Sequence, residues 1–400
     1  MSEFLERGSP AYRRATFALF CAGFSCFALL YCMQPLLPLL SRAFGVGAAG
    51  SSLAVSAATM GVAASLLVVG ALSDRLGRKP VMAVSLFAVV GLNLAAAAAP
   101  DWRMLLLLRF ASGLAISGVP AVAMAYLGEE VAPAGLGSAI GLYVAGNGIG
   151  GMAGRLLTGA LVDLTGSWRM AMAGVGALGV VTAVIFVKAL PPSRRFSPAP
   201  PAPLGDYVRT VLALFADPGL PWLFAIGFCL MGAFVAVFNL TSFRLTEAPY
   251  RLSNAAAGVV FLSYLAGAPV SAAFGRLGDR YGRKPVAAAG LGLFLAGLLL
   301  TLSANLIAIF AGVCLVTCGF FGVHALASAW TTSRAPHARG QASALYLQFV
   351  YLGPALVGAW AGAQWTRHGW AGVIALLAGW IGAALLVLLA SPLRRLGGRP

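Results

Sequence analysis

Apolar residues fill this chain in runs of twenty or more, separated by short polar breaks. The runs fall at 15–40, 50–72, 80–99, 103–127, 137–162, 168–190, 220–243, 255–275, 285–303, 305–329, 340–365 and 370–391. About 20 helical residues rise ~30 Å, the thickness of a bilayer's hydrocarbon core. The pattern therefore predicts an all-α membrane protein with twelve spanning helices, here spans 1 to 12. The first run is too long for the core of a cleavable signal and is expected to be span 1.

The pattern also repeats at an offset of 205 residues. Gly70-Ala-Leu-Ser-Asp74-Arg75-Leu-Gly77-Arg78-Lys79-Pro80 returns as Gly275-Arg-Leu-Gly-Asp279-Arg280-Tyr-Gly282-Arg283-Lys284-Pro285. Ser138-Ala139 returns as Ser343-Ala344, and Gly148 as Gly353. Two pseudo-symmetric six-helix bundles are expected, 1–190 and 220–400, because internal repeats mark many transporters. The Pro-rich, polar segment 191–219 between them reads as a linker.

Composition supports the bilayer as solvent. The chain is 60% hydrophobic and 10% charged, with mean hydropathy +0.89. A soluble surface carries far more charge. The fifty glycines suit close helix packing in lipid.

The net charge of +16 would suggest nucleic acid in a soluble protein; here its distribution explains it. With the N-terminus placed in the cytoplasm, one side holds Arg7, Arg13 and Arg14; Arg75, Arg78 and Lys79; Lys188, Arg194, Arg195 and Arg209; Arg276, Arg280, Arg283 and Lys284; Arg334 and Arg339; and Arg394, Arg395 and Arg399. The other holds only Arg42, Arg103, Arg169, Arg244, Arg251 and Arg367. The excess predicts both termini in the cytoplasm, and no nucleic-acid partner is needed.

The 70–80 segment and its copy resemble the G-x-L-x-D-R-x-G-R-K motif of the major facilitator superfamily, in the loops after spans 2 and 8. The resemblance covers essentially the whole chain. Gly70 and Gly275 are expected to allow close packing, and Gly77 and Gly282 a tight turn. Asp74 can hold an Arg or a helix N-terminus. The resemblance implies a gating role for Gly70, Asp74, Arg75, Gly77, Arg78, Gly275, Asp279, Arg280, Gly282 and Arg283, with the segment holding the halves together when the outside is open.

In span 4, Leu105-Leu-Leu-Leu-Arg109-Phe-Ala-Ser112-Gly113 is similar to the family's L-x-x-x-R-x-x-Q-G, with Ser112 in place of Gln. A charge inside a span costs several kcal/mol unless it faces the bundle or water. Arg109 therefore either contacts solute or is pinned to backbone carbonyls. In span 5, Gly146, Gly150 and Gly154 form two successive G-x-x-x-G steps, a close-packing face. Asn147, Gly151 and Arg155 form the next column. This span resembles the glycine-rich motif of drug:proton antiporters but lacks its Pro, and the run looks most like the acriflavine-sensitivity (YnfM-like) branch of bacterial permeases. The resemblance implies that spans 1, 4, 7 and 10 line the cavity, with 5, 8 and 11 beside it, which makes Tyr31, Gln34, Arg109, Asn147, Arg155, Asn239, His324 and Gln348 the candidate substrate-binding residues. No catalytic residue is expected.

All eleven carboxylates lie in expected loops or at helix ends. A cavity with Arg109, Arg155 and His324 but no mid-span carboxylate favours an anionic or neutral solute. No P-loop is present, so ATP hydrolysis is not supported. Three scattered histidines and six cysteines without metal-ligand spacing suggest neither an enzyme, a metal site nor a cofactor. The resulting expectation is a monomeric secondary transporter in the bacterial inner membrane. Its partners would be a small-molecule substrate, protons as coupling ion and the lipid bilayer, and its direction efflux. The alternatives are a uniporter or symporter for an anionic metabolite, and a transporter-like receptor.

Overall fold

The computed structural model describes residues 4–198 and 204–391. Parts of the linker (Pro200, Pro201 and Pro203) and the terminal cations Arg394, Arg395 and Arg399 lie outside the described residues. The described chain is helical, with one isolated bridge between Leu5 and Val131.

Span 1 is two helices, α1 (Pro10–Tyr31) and α2 (Leu37–Phe44), separated by a 3-10 turn. Pro35 and Pro38 lack the N–H groups that would close the helix onto Tyr31 and Gln34, so it must break there. Spans 2 and 3 are α3 (Ala48–Leu76) and α4 (Arg78–Ala97). Span 4, expected as one helix, is α5 (Trp102–Ile116) and α6 (Pro120–Glu130), divided just before Pro120. Spans 5 and 6 are α7 (Pro133–Thr165) and α8 (Trp168–Ala189). The linker contains α9 (Leu204–Ala216), which its Pro-rich flanks concealed.

Span 7 is α10 (Leu220–Thr246). Span 8 runs through α11 (Asn254–Gly258), a 3-10 stretch (Val259–Ala266) and α12 (Gly267–Tyr281). Spans 9 and 10 are α13 (Arg283–Leu300) and α14 (Leu306–Arg334). Spans 11 and 12 merge in α15 (Arg339–Ala390), broken at Gly369 with φ 61°.

Among the described residues, ten helical segments are long and apolar enough to cross a membrane. The break in α15 divides one of them. Helix α7, 33 residues long, falls below that hydropathy because nine of its residues are glycine. Counting both gives the expected twelve.

The chain forms two compact units. The first is Met1–Phe44, Ala57–Pro201 and Leu252–Val259; the second is Gly45–Ser56, Ala202–Arg251 and Val260–Pro400. Their borders cut through α3 and span 8, so each unit includes a short piece of the other repeat.

Basic side chains close helix ends in both. The last carbonyls of a helix lack intrahelical partners. Lys79 Nζ donates to the Leu190 carbonyl beyond α8, and Lys284 Nζ donates to Leu389 and Ser391 at the end of α15 (2.9 and 3.0 Å). Arg169 reaches the Ala97 and Ala99 carbonyls (2.9 and 2.8 Å). Arg244 reaches Thr301 and Ser303.

Candidate functional site

The glycine stripe of α7 packs directly against the backbone of α1. A Cβ at Gly146 would lie 2.4 Å from the Phe20 carbonyl oxygen, at Gly150 2.2 Å from that of Phe24, and at Gly154 2.6 Å from the Cα of Ala28. Only glycine lets α1 and α7 meet backbone to backbone. That contact carries the adjacent polar column of α7 to the end of α1.

Arg155, fully buried, lies in that column. Its Nε donates to Gln34 Oε1, its Nη1 to the Gly151 carbonyl (2.6 Å), and its guanidinium carbon stands 4.3 Å from the centre of the Tyr31 ring. Tyr31, Gln34 and Arg155 thus form one cluster at the break in span 1. Asn147 lies two turns earlier on α7, against Gly23 of α1, at a different level.

Arg109, also fully buried, donates from Nη1 to the Leu29 carbonyl (3.1 Å) and from Nη2 to that of Leu30 (2.5 Å). The break that ends α1 strips these carbonyls of helical donors, and the guanidinium supplies replacements. Of the two readings open for Arg109, its observed geometry is that of backbone pinning. Cys32 and Asn93, not singled out in the sequence, join the same break: Cys32 Sγ lies 3.6 Å from Asn93 Oδ1, and Asn93 Nδ2 donates to Met172 (3.0 Å). Their only sequence signal was polarity inside an apolar run.

In the second unit, His324 of α14 and Tyr346 of α15 meet, with Tyr346 Oη 3.0 Å from His324 Nδ1. Phe320 stacks on the imidazole (centroids 5.4 Å apart, planes 8° apart) and on Phe234 (3.9 Å, 10°). Thr317 and Phe321, seven and three residues before His324 on the same face of α14, are occupied as well: Thr317 bonds Ser263 (3.0 Å) and Phe321 packs on Tyr264. Asn239 belongs elsewhere, near Gly358, where a Cβ would lie 3.8 Å from its Nδ2 and 3.0 Å from Ser56 Oγ. Gln348, two residues past Tyr346, projects from another side of α15.

At the repeated motif, Gly77 and Gly282 adopt φ 94° and 92°, the conformation their turn requires. Asp74 binds Arg78, which also donates to Ser73 (2.7 Å) and, from Nε and Nη2, to Glu129. In the second copy, Arg283 donates to Ser333 (2.7 Å). Gly70 and Gly275 do not meet the packing expectation: a Cβ at either would have nothing within 4 Å, so these positions face open space.

No group of three or more His, Cys, Asp or Glu residues is arranged to hold a metal among the described residues.

A family model described as Major Facilitator Superfamily matches residues 19–272 and 248–399. The inner membrane transport protein YnfM of Escherichia coli is 44% identical over 386 residues, covering 96% of this chain and 92% of its own length. The uncharacterized MFS-type transporter YybF of Bacillus subtilis is 41% identical over 374 residues, covering 94% and 92%. Among solved structures, the nucleoside transporter NupG superposes with TM-score 0.75 at 15% identity (94% of this chain, 98% of that one). The human organic anion transporter MFSD10 does so with TM-score 0.71 at 19% identity (95% and 100%). At those identities the likeness concerns the fold.

Proposed function

The chain belongs to the Major Facilitator Superfamily, and from that premise we propose that this membrane transporter exports a small organic solute by alternating access, driven by the proton gradient. In this reading both termini face the cytoplasm, which the Lys and Arg asymmetry supports. The observation carrying the proton-coupled reading is the His324–Tyr346 pair. Every carboxylate among the described residues lies in a loop or the terminal turns of a helix, which leaves His324 as the titratable imidazole inside a span, suited to taking and releasing a proton. Tyr31, Gln34 and Arg155 form the solute-facing cluster of the first unit, and Arg109 holds the helix break on which that cluster stands. The asymmetric motif network around Arg78 serves the gate.

A proteoliposome flux assay over a panel of anions, neutral solutes and cationic drugs, with and without a pH gradient, tests this reading. His324→Gln is expected to retain solute binding and lose the response to the gradient. Gradient-driven flux in that variant would refute the role of His324. The second reading, uptake or facilitated movement of an anionic metabolite, is favoured by the neutral groups Gln34, Gly151 and Tyr31 that hold Arg155, since a guanidinium so placed suits a carboxylate or phosphate. Saturable anion flux indifferent to the pH gradient would select it. Orientation is tested separately: cysteine introduced at Gly205 should be labelled only from the cytoplasm, and at Gly166 only from outside.

A further inference from the structure

A cleft of about 460 Å³ opens beside the first copy of the repeated motif, at the start of α4. Leu76, Pro80, Ala83 and Phe196 give it apolar walls, and Arg78, Lys79 and Ser193 line it as well. Three features make it a prepared anion site. Helix α4 is 20 residues long and its N-cap Gly77 offers no side-chain hydrogen bond; Pro80 has no N–H and the Gly77 N–H is bonded to Ser73, so the Arg78 and Lys79 N–H groups and the positive dipole end are what the helix start offers. The Ser193 hydroxyl is buried without a hydrogen-bond partner, an arrangement that costs about 1–3 kcal/mol unless a ligand satisfies it. Lys79 donates one of its three ammonium hydrogens to Leu190, and Arg14, which donates to the Lys188 carbonyl (3.1 Å), adds positive charge at the same end. Asp74 of the motif and Glu129 of α6 are committed to Arg78.

The surface beyond the cleft decides what kind of anion fits. Leu76, Val84 and Phe87 are 59%, 69% and 46% exposed, so an apolar strip leaves the cleft along α3 and α4. A soluble anion has no use for such walls, whereas an amphiphile fills both parts. We propose that this cleft binds the phosphodiester headgroup of an anionic phospholipid, with the phosphate between Lys79, Ser193 and the start of α4 and the lipid stem along the apolar strip. The site needs only a chain embedded in a bilayer, so it stands apart from the identity of the transported solute and from the proton-coupled reading.

The test uses full-length protein in phosphatidylcholine nanodiscs doped with phosphatidylglycerol carrying a photoreactive headgroup. Crosslinks are expected to concentrate in the peptides holding 76–83 and 192–196. Unlabelled phosphatidylglycerol should displace them, and millimolar inorganic phosphate should not. Lys79→Gln, and Ser193→Phe, which fills the cleft, should each lower these crosslinks at least about tenfold, the scale of losing a charge-assisted hydrogen bond. Ser193→Ala removes only the hydroxyl and should lower them several-fold without disturbing the fold, as checked by its gel-filtration profile. Crosslinks spread evenly over the lipid-facing helices, or unchanged in all three variants, would overturn the site. Displacement by inorganic phosphate as effective as that by the lipid would reassign it to a soluble anion and overturn the lipid proposal.

Discussion

Glu129 and Arg334 stand 205 residues apart at equivalent positions near the ends of α6 and α14, with opposite charge. This exchange changes what the motif arginine of each repeat can bind. Arg78 meets two carboxylates, Asp74 and Glu129, whereas Arg283 meets the Ser333 hydroxyl. Arg334 turns instead to Asp217, at 3.0 and 3.1 Å.

The two motif arginines should therefore differ under the same substitution. Arg78→Lys keeps the charge but loses the fork that reaches Asp74 and Glu129 together. With those acids 47% and 30% exposed, solvent screening limits the loss to about 1 kcal/mol. Arg283→Lys should stay within about 0.5 kcal/mol of the parent. Thermal unfolding in detergent reads the difference, and equal shifts would contradict it. Asp74→Asn should lower flux while the protein stays folded, since Glu129 continues to hold Arg78.

Close packing of α7 on α1 gives a second contrast. At Gly150 a Cβ meets the Phe24 backbone at 2.2 Å, whereas at Gly148 nothing lies within 4 Å. Gly150→Ala must push two helices apart, which costs about 1–3 kcal/mol. Gly148→Ala should be neutral or raise stability by a few tenths of a kcal/mol through helix propensity. The yield of monodisperse protein and its unfolding temperature measure both. A Gly150→Ala variant as stable as Gly148→Ala would mean that the contact yields at no cost.

Much of this architecture was legible because lipid makes the code simple: long apolar runs, a 205-residue repeat and a four-residue glycine period each correspond to one physical demand. The interruptions were less legible. Pro35, Pro38 and Pro120 carried the signal for two breaks, but a hydropathy run averages over single prolines. Val259–Ala266 reads as an ordinary apolar helix, and its 3-10 form has no local signal. Partners were hardest to foresee. The depth of Arg109 in span 4 follows from the sequence; that it meets Leu29 and Leu30 depends on where another helix breaks. Gly70 misled because motif spacing suggested a contact that the backbone does not make.

Asp217 gives a prediction in pH. Burial opposes its ionisation, but the Arg334 guanidinium and the Gly219 and Leu220 N–H groups outweigh burial and hold its carboxyl below the usual carboxylate range. A depressed folded pKa stabilises fully above the unfolded value of about 3.9 and is lost as pH falls through the folded value. Asp217→Asn should therefore lower stability by about 1–2 kcal/mol equally at pH 6 and pH 8. The gap to the parent should close only below about pH 4. A gap that changes between pH 6 and 8 would show that another group titrates with this contact.

Arg109 and Arg155 are both fully buried, and the structure predicts different failures when they are removed. Arg109 serves the Leu29 and Leu30 carbonyls, which the end of α1 leaves without helical donors. Arg109→Met keeps much of the apolar stem and removes both bonds, leaving the Leu30 carbonyl without its guanidinium donor and the Leu29 carbonyl with only the weak Cys32 thiol (3.3 Å), at a cost of about 1–3 kcal/mol. Arg155 serves Gln34, and its bond to the Gly151 carbonyl lies within its own helix, where that oxygen already faces the Arg155 N–H. Arg155→Met should therefore cost only about 1–2 kcal/mol and leave folded protein, while removing the charge from the Tyr31 and Gln34 cluster. Unfolding temperature and flux measured on the same samples separate the two roles. Arg109→Met should lose flux in step with folded protein, and Arg155→Met should lose flux with most of the protein intact. An Arg109→Met protein as stable as its parent but inactive would move Arg109 from holding the break to contacting the solute.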